Sequence, residues 1–373
     1  MSQMVQIPEA AVSETPLAAQ LAAANPALEL KMHRGARTPH RFQGNPAEMG
    51  ALLRSAGVFD LGYHTFLRAT GKDRVRWMNG MITQTVKGLA AGQTGYTLVL
   101  NPQGRIQGDA DLYVHDEVLF LETDRSQAER LLTLLRRYII MDDVKLEELD
   151  GSTTAIGAAG PGAWANLEKL GAADLARGPE PGTIRTAKIA GIEVGLVVAY
   201  SPVVPRFEIH VPSERVLELW NALLAAGATA CGVAAVEDLR VLEGVPEFDV
   251  DFGDKNLPQE ANVPRALNFT KGCYIGQETV ERIRARATLH RGLRQFELQG
   301  SARTLGPGEK IALRAGDATV GELTSVAAID VPGFSKIVAL GVVRLEALEG
   351  AEPVRYDGGT AVALDEPPRV GQG

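Results

Sequence analysis

Apolar residues in this chain fall mainly into short runs of period two, with a few stretches of helical period between them. Tyr96, Leu98 and Leu100 alternate with smaller residues, and Asn101-Pro102-Gln103-Gly104 supplies turn chemistry before a second alternating run from Ile106 to Val114. That pattern predicts a β-hairpin. Leu131, Leu132, Leu134, Leu135 and Tyr138 recur at helical spacing. The apolar run Ile192–Val198 predicts a buried strand, and residues 207–211 a second. Two helices carry start and stop signals. Asn45 and Pro46 open one over residues 46–56 that Gly57 ends, and Ser213 opens another with the stripe Val216, Leu217, Leu219, Trp220 and Leu223, ended by Gly227.

The texture changes near residue 290. Short alternating runs at 310–313, 319–326 and 337–343 are separated by Gly, Pro and Asp turns, which predicts a small all-β domain. At the other end, residues 1–44 are rich in Ala and Gln, with Pro8, Pro16, Pro26 and Pro39 and little amphipathic period. The expected organisation is a flexible leader over 1–44, an α+β domain over 45–290 and a small all-β domain over 291–373. A chain of 373 residues fits that count at about 150 residues per domain.

Charge and cysteine content narrow the function classes. Lys and Arg total 38 against 46 Asp and Glu, a net charge of -8, and a general nucleic-acid coat needs many phosphate contacts instead. Two cysteines, Cys231 and Cys273, cannot form a secreted disulfide framework. The first thirty residues carry no Lys or Arg, and no apolar stretch reaches the roughly 18 residues of a membrane span. The expected setting is cytoplasmic, without a membrane partner.

The most unusual segment is Lys271-Gly272-Cys273-Tyr274-Ile275-Gly276-Gln277-Glu278. A thiol between Lys271 and a helix starting at Gln277 would feel positive charge from both, which favours the thiolate; the alternative is a small buried hydrophobe. Asp109 and Asp111, two apart in the second hairpin strand, point to one face, with Ala110, Leu112 and Val114 on the other. Two acids on one face suit proton work, although a solvated face has the same pattern. Arg282, Arg284, Arg286, His290, Arg291 and Arg294 form a basic cluster after the cysteine. The first three arginines share a side only if that segment is extended.

The octapeptide resembles the KGC(Y/F)xGQE signature of the folate-binding YgfZ family, relatives of the glycine-cleavage aminomethyltransferase. The resemblance continues through Gly57-Val58-Phe59-Asp60, Asn79-Gly80-Met81-Ile82-Thr83, residues 96–106 and 237–246, and Leu257-Pro258-Gln259-Glu260. It implies an α+β fold of two interlocked ferredoxin-like units around a folate pocket, followed by a C-terminal β-barrel. It further implies tetrahydrofolate or a related reduced folate as cofactor, with Tyr96, Asp109 and Arg240 at the folate site and Cys273, Lys271 and Asp109 as the chemical residues. No resident metal is expected, since one motif cysteine cannot complete a four-ligand shell.

The function implied is that of a folate-binding accessory factor in iron–sulfur cluster assembly or repair, which supports tRNA modification indirectly and meets iron–sulfur proteins or their assembly machinery. Two departures bear on chemistry. The transferase strand GG(I/V)xDD aligns with Gly104-Arg105-Ile106-Gln107-Gly108-Asp109, so Gly108 replaces one acid. Its Y(T/S)GExGFEI strand aligns with residues 200–209, where Val203 replaces the first Glu, expected to be the pterin-recognising one. One alternative is a tetrahydrofolate-dependent aminomethyltransferase or demethylase-like enzyme, favoured by Asp109 and the hairpin. Another is a tRNA- or protein-binding module using Arg282, Arg284, Arg286, Arg291 and Arg294.

Overall fold

The structure is a computed structural model that describes residues 13–172, 182–286 and 289–371. Its organising element is the predicted hairpin, Thr94–Leu100 paired antiparallel with Ile106–Val114. The turn is set locally. Asn101 Oδ1 accepts from the Gln103 and Arg105 amides, and Gly104 takes a φ of 77° that suits glycine.

The hairpin forms one side of a five-stranded sheet in the order Thr94–Leu100, Ile106–Val114, Leu119–Asp124, His64–Thr70, Lys145–Glu148. A six-stranded sheet runs Thr183–Ile189, Ile192–Val198, Arg206–Pro212, Thr153–Ala159, Gly57–Asp60, Thr229–Ala230. The chain contributes Gly57–Asp60 to the second sheet before it builds the first, so the two halves interlock. The amphipathic helix Arg125–Arg136 buries Leu131, Leu132 and Leu135 under the first sheet. Val216–Ala225 does the same under the second with Leu219, Trp220 and Leu223, after Ser213–Arg215 forms a 3-10 turn in which Ser213 Oγ bonds Gly151 O instead of capping. No helix among the described residues is long and apolar enough to cross a membrane.

The C-terminal strands close a six-stranded barrel in the order Arg291–Gly300, Phe334–Arg344, Ala318–Val331, Ile311–Ala315, Arg355–Tyr356, Gly359–Leu364. One wall of it packs on the helix Val233–Leu242, and Leu239 and Leu242 share a continuous core with Ala327, Ile329 and Val338. The fold is therefore α+β with an appended barrel, and the barrel is fastened to the helix that also carries Arg240.

Two local readings need correction. Residues 13–44 are built into the fold, not a flexible leader, while residues 1–12 lie outside the described residues. Pro16–Ala24 is a helix capped by Thr15, whose hydroxyl also donates to the buried Asp60, and Leu30–His33 pairs with Ala36–Pro39. Leu17 is wholly buried, worth about 2 kcal/mol. A nine-residue helix too short to announce itself by period gains its stability from that contact. The next helix spans Asn45–Arg54 with Gly44 at its cap. Glu48, within its first turn, reaches back to accept from the amides of Phe42, Gln43 and Gly232.

Candidate functional site

Between the two sheets lies a cavity of 390 Å³, within the about 300–1,000 Å³ range of small-ligand pockets. The hairpin supplies its first wall with Tyr96, Asp109 and Asp111, since alternation along Ile106–Val114 turns both acids inward. Tyr96 donates its hydroxyl to Asp109 Oδ2 at 2.6 Å, and Gln127 Nε2 donates to Oδ1 at 2.8 Å. Gln127 Oε1 also accepts from the Asp109 amide, so one side chain fixes both the backbone and the carboxylate of Asp109. Burial pushes the Asp111 carboxyl up to about 7, with Arg265 opposing and Glu208 and Glu122 reinforcing.

Deeper in, Glu122 accepts from Tyr113, at 2.6 Å, and pairs with His64 and His210 at 2.8 and 3.1 Å. Burial acts to raise Glu122, but the two histidines outweigh it and hold the group below the usual carboxylate range. Glu122, Glu208 and His210 bring ligand-type atoms within 4.8 Å of one another. Ion pairs and the tyrosine already engage them, which accounts for the grouping.

On the far wall Arg34 pairs with Glu247 at 2.7 Å and Glu237 at 2.9 Å, and Arg240 pairs with Asp251 at 2.6 Å and Glu237 at 2.9 Å. Burial opposes ionisation of Glu237, yet Arg240 and Arg34 hold it low; burial pushes Glu247 up to about 8 despite Arg34. Ser325 of the barrel accepts from Arg240 and donates to Asp251. Arg240 thus lines the cavity, but its donors are committed to Glu237, Val245, Asp251 and Ser325.

The two departures seen in the sequence do not fall where the alignment suggested. Gly108 faces the helix Arg125–Arg136, where a Cβ would sit 2.7 Å from Gln127 Oε1 and 2.8 Å from Leu131, so no acid is missing from the cavity there. Val203 packs on the hydrophobic core beside Val204 and is not part of the cavity wall. The carboxylate that this strand presents to the cavity is Glu208, paired with Arg206 at 3.0 Å. Period-two reading from Phe207 could have found it; the inserted Pro-rich turn before Arg206 hid the register.

The cysteine segment lies outside the cavity wall. Lys271 Nζ donates to the carbonyls of Ile82 and Gln84 at 2.6 and 2.7 Å, and burial lowers its pKa to about 7. Ile275 N bonds Gly80 O, and Tyr274 is buried with Leu98, Leu100 and Ile106. Cys273 is exposed between these anchors, whereas Cys231 is buried and its thiol pushed up by burial. Gln277–Arg286 is a helix, so residues 282, 284 and 286 do not share a face. Arg284 stacks on Phe269 and Arg291 pairs with Glu260; Arg282 is exposed, Arg294 bonds Leu293 O, and the Arg286 side chain lies outside the described residues. Sequence reasoning missed Arg34, Glu122, Glu208 and Arg265 as wall residues and Gln127 as the support behind Asp109, since they come together only in the folded chain.

The family model described as the GCVT N-terminal domain matches residues 21–271. A chloroplastic putative transferase of Arabidopsis thaliana is 25% identical over 243 residues, 65% of this chain and 56% of that protein, so the match spans little more than half of the relative. An aminomethyltransferase of Xanthomonas oryzae pv. oryzae is 30% identical over 260 residues, 68% of each chain. The fold is that of glycine cleavage system aminomethyltransferase T from Bartonella henselae, with a TM-score of 0.81 at 18% identity over 95% of this chain and 98% of that one.

Proposed function

Because this chain belongs to the family of the GCVT N-terminal domain, we propose that its cavity binds a reduced folate. We further propose a YgfZ-type accessory factor in iron–sulfur cluster assembly or repair, with an indirect bearing on tRNA modification. The observation that carries the folate part is the Asp109 carboxylate, held by Tyr96 and Gln127 on the wall of a 390 Å³ cavity. The donor set fits. Glu208 and Asp111, both on the cavity wall, offer acceptors for the amino and ring N–H groups of a pterin. Arg206 Nε, buried beside the cavity, has no hydrogen-bond partner among the described residues. A bound reduced folate would supply one-carbon acceptor or donor chemistry. Asp109, fixed in one orientation by two donors, is the group suited to hold or move a proton at its carboxylate oxygens.

Cys273 supports the accessory role by its exposure on a pinned segment, where a thiolate can attack an electrophilic sulfur or ligate iron transiently. The test is a strain lacking the gene, assayed for iron–sulfur enzyme activities and complemented at matched levels with wild type or Cys273→Ala. Rescue by wild type alone is expected. Equal rescue by Cys273→Ala would remove the thiol from the function.

A second reading, a tetrahydrofolate-dependent aminomethyltransferase or demethylase-like enzyme, is favoured by the placement of Gly108 and Val203 away from the cavity. Reconstitution with a lipoyl carrier protein and tetrahydrofolate separates the two. Methylene-tetrahydrofolate formation at a transferase-like rate would put this reading first.

A further inference from the structure

We propose that Arg265 is the anion-recognising residue at the mouth of the cavity and that it takes the carboxylate of a ligand whose flat ring lies further in. The inference rests on the folate reading and specifies which end of such a ligand is held, and by what.

Among the described residues, four guanidinium groups line the cavity, those of Arg34, Arg206, Arg240 and Arg265. Three are neutralised by protein carboxylates, Arg34 by Glu237 and Glu247, Arg206 by Glu208, and Arg240 by Asp251 and Glu237. Among the described residues Arg265 makes no ion pair. Its charge acts on Asp111, but without ion-pair contact. Its position is nevertheless defined. The guanidinium carbon lies 3.9 Å from the ring centre of Tyr96 and 4.5 Å from that of Tyr200. Among the described residues the N–H donors of this group have no carboxylate or carbonyl partner, and a guanidinium fork engages a carboxylate with two parallel hydrogen bonds.

Location sets the direction of the ligand. Tyr200 is 49% exposed, so the stacked pair marks the solvent end. Asp109, Asp111, Glu122 and Glu208 line the interior, and an anionic tail placed there would meet like charge and pay desolvation. A ring with N–H donors is accepted inside, and the acidic tail is turned outward to Arg265. Arg240, which the resemblance placed at the folate site, does not serve this end, because it is 6% exposed with its donors already engaged.

Titration calorimetry on the full chain tests this with two probes, tetrahydrofolate and a tetrahydropterin that lacks the aminobenzoyl-glutamate tail. Arg265→Gln should weaken tetrahydrofolate about tenfold or more, the scale of a charge-assisted contact, and leave tetrahydropterin within about twofold. Arg265→Lys, which keeps the charge but loses the fork, should fall between. Melting curves without ligand verify that the variants are folded. Unchanged tetrahydrofolate affinity in Arg265→Gln, or an equal loss for both probes, overturns the assignment while leaving folate binding in place. Failure of the wild-type chain to bind tetrahydrofolate overturns the folate reading and this inference with it.

Discussion

Gly276 lies against Gly104: a Cβ on Gly276 would fall 2.9 Å from the Gly104 Cα and 2.6 Å from the Asn101 carbonyl oxygen. Both residues have positive φ, 80° and 77°. The second glycine of the cysteine signature is therefore the point at which that segment docks on the turn of the hairpin carrying Tyr96 and Asp109. Part of the signature is explained by packing, independently of the thiol.

That relationship predicts which signature residue supports stability. Gly276→Ala meets a left-handed backbone penalty of about 1–2 kcal/mol and a backbone overlap in addition, so a loss of at least about 2 kcal/mol in urea unfolding is expected. Cys273→Ala, at an exposed position, should stay within about 0.5 kcal/mol. The reverse order would show that the segment packs elsewhere.

Restoring the transferase residues should not improve the site. Gly108→Asp would press its side chain into Gln127 and Leu131, at a cost of about 1–3 kcal/mol for overpacking, and folate affinity should fall as Gln127 releases Asp109. Val203→Glu, away from the cavity wall, should leave folate affinity within about twofold of wild type. A gain in affinity from either change, measured by calorimetry, would return those positions to the site.

Asp111 should impose a pH dependence on stability. Its carboxyl is raised from 3.8 to about 7 on folding, so between those values the folded chain holds a proton that the unfolded chain has lost. Stability then falls as pH rises through that window. Asp111→Asn should be more stable than wild type at pH 8, by at least about 1 kcal/mol for one pKa unit retained after solvent screening, with the gap closing near pH 4. Glu247, raised to about 8, leaves a slope of the same sign in the variant. Glu122 and Glu237, held low, act oppositely and lose their contribution on acidification below the ordinary Glu range. Parallel urea titrations at pH 5 and pH 8 check the sign; equal gaps at both would contradict it.

Thiol accessibility should divide the two cysteines. Iodoacetamide at neutral pH should label Cys273 and spare Cys231, which is 1% exposed and whose Sγ lies against Gly57. Labelling of Cys231 should appear only in denaturant. Mass spectrometry of the native, labelled chain decides between one adduct and two.

The sequence by itself determined the hairpin, the helices at 125–136 and 216–225, the α+β class and the barrel texture after residue 290, because these rest on period and turn residues within a dozen positions of one another. It also marked Tyr96 and Asp109, through their hairpin, and the cysteine segment, through its motif. Tertiary structure alone decided that residues 13–44 are built in, that Gly108 faces a helix while Glu208 faces the cavity, that Lys271 holds Ile82 and Gln84, and that Arg240 is ion-paired while Arg265, among the described residues, is not. Each of those facts depends on pairs far apart in the chain, such as Thr15 with Asp60 or Arg240 with Ser325. Local preference chooses a strand and its alternation, but a charge becomes a binding group or a structural one according to the partner that folding brings beside it.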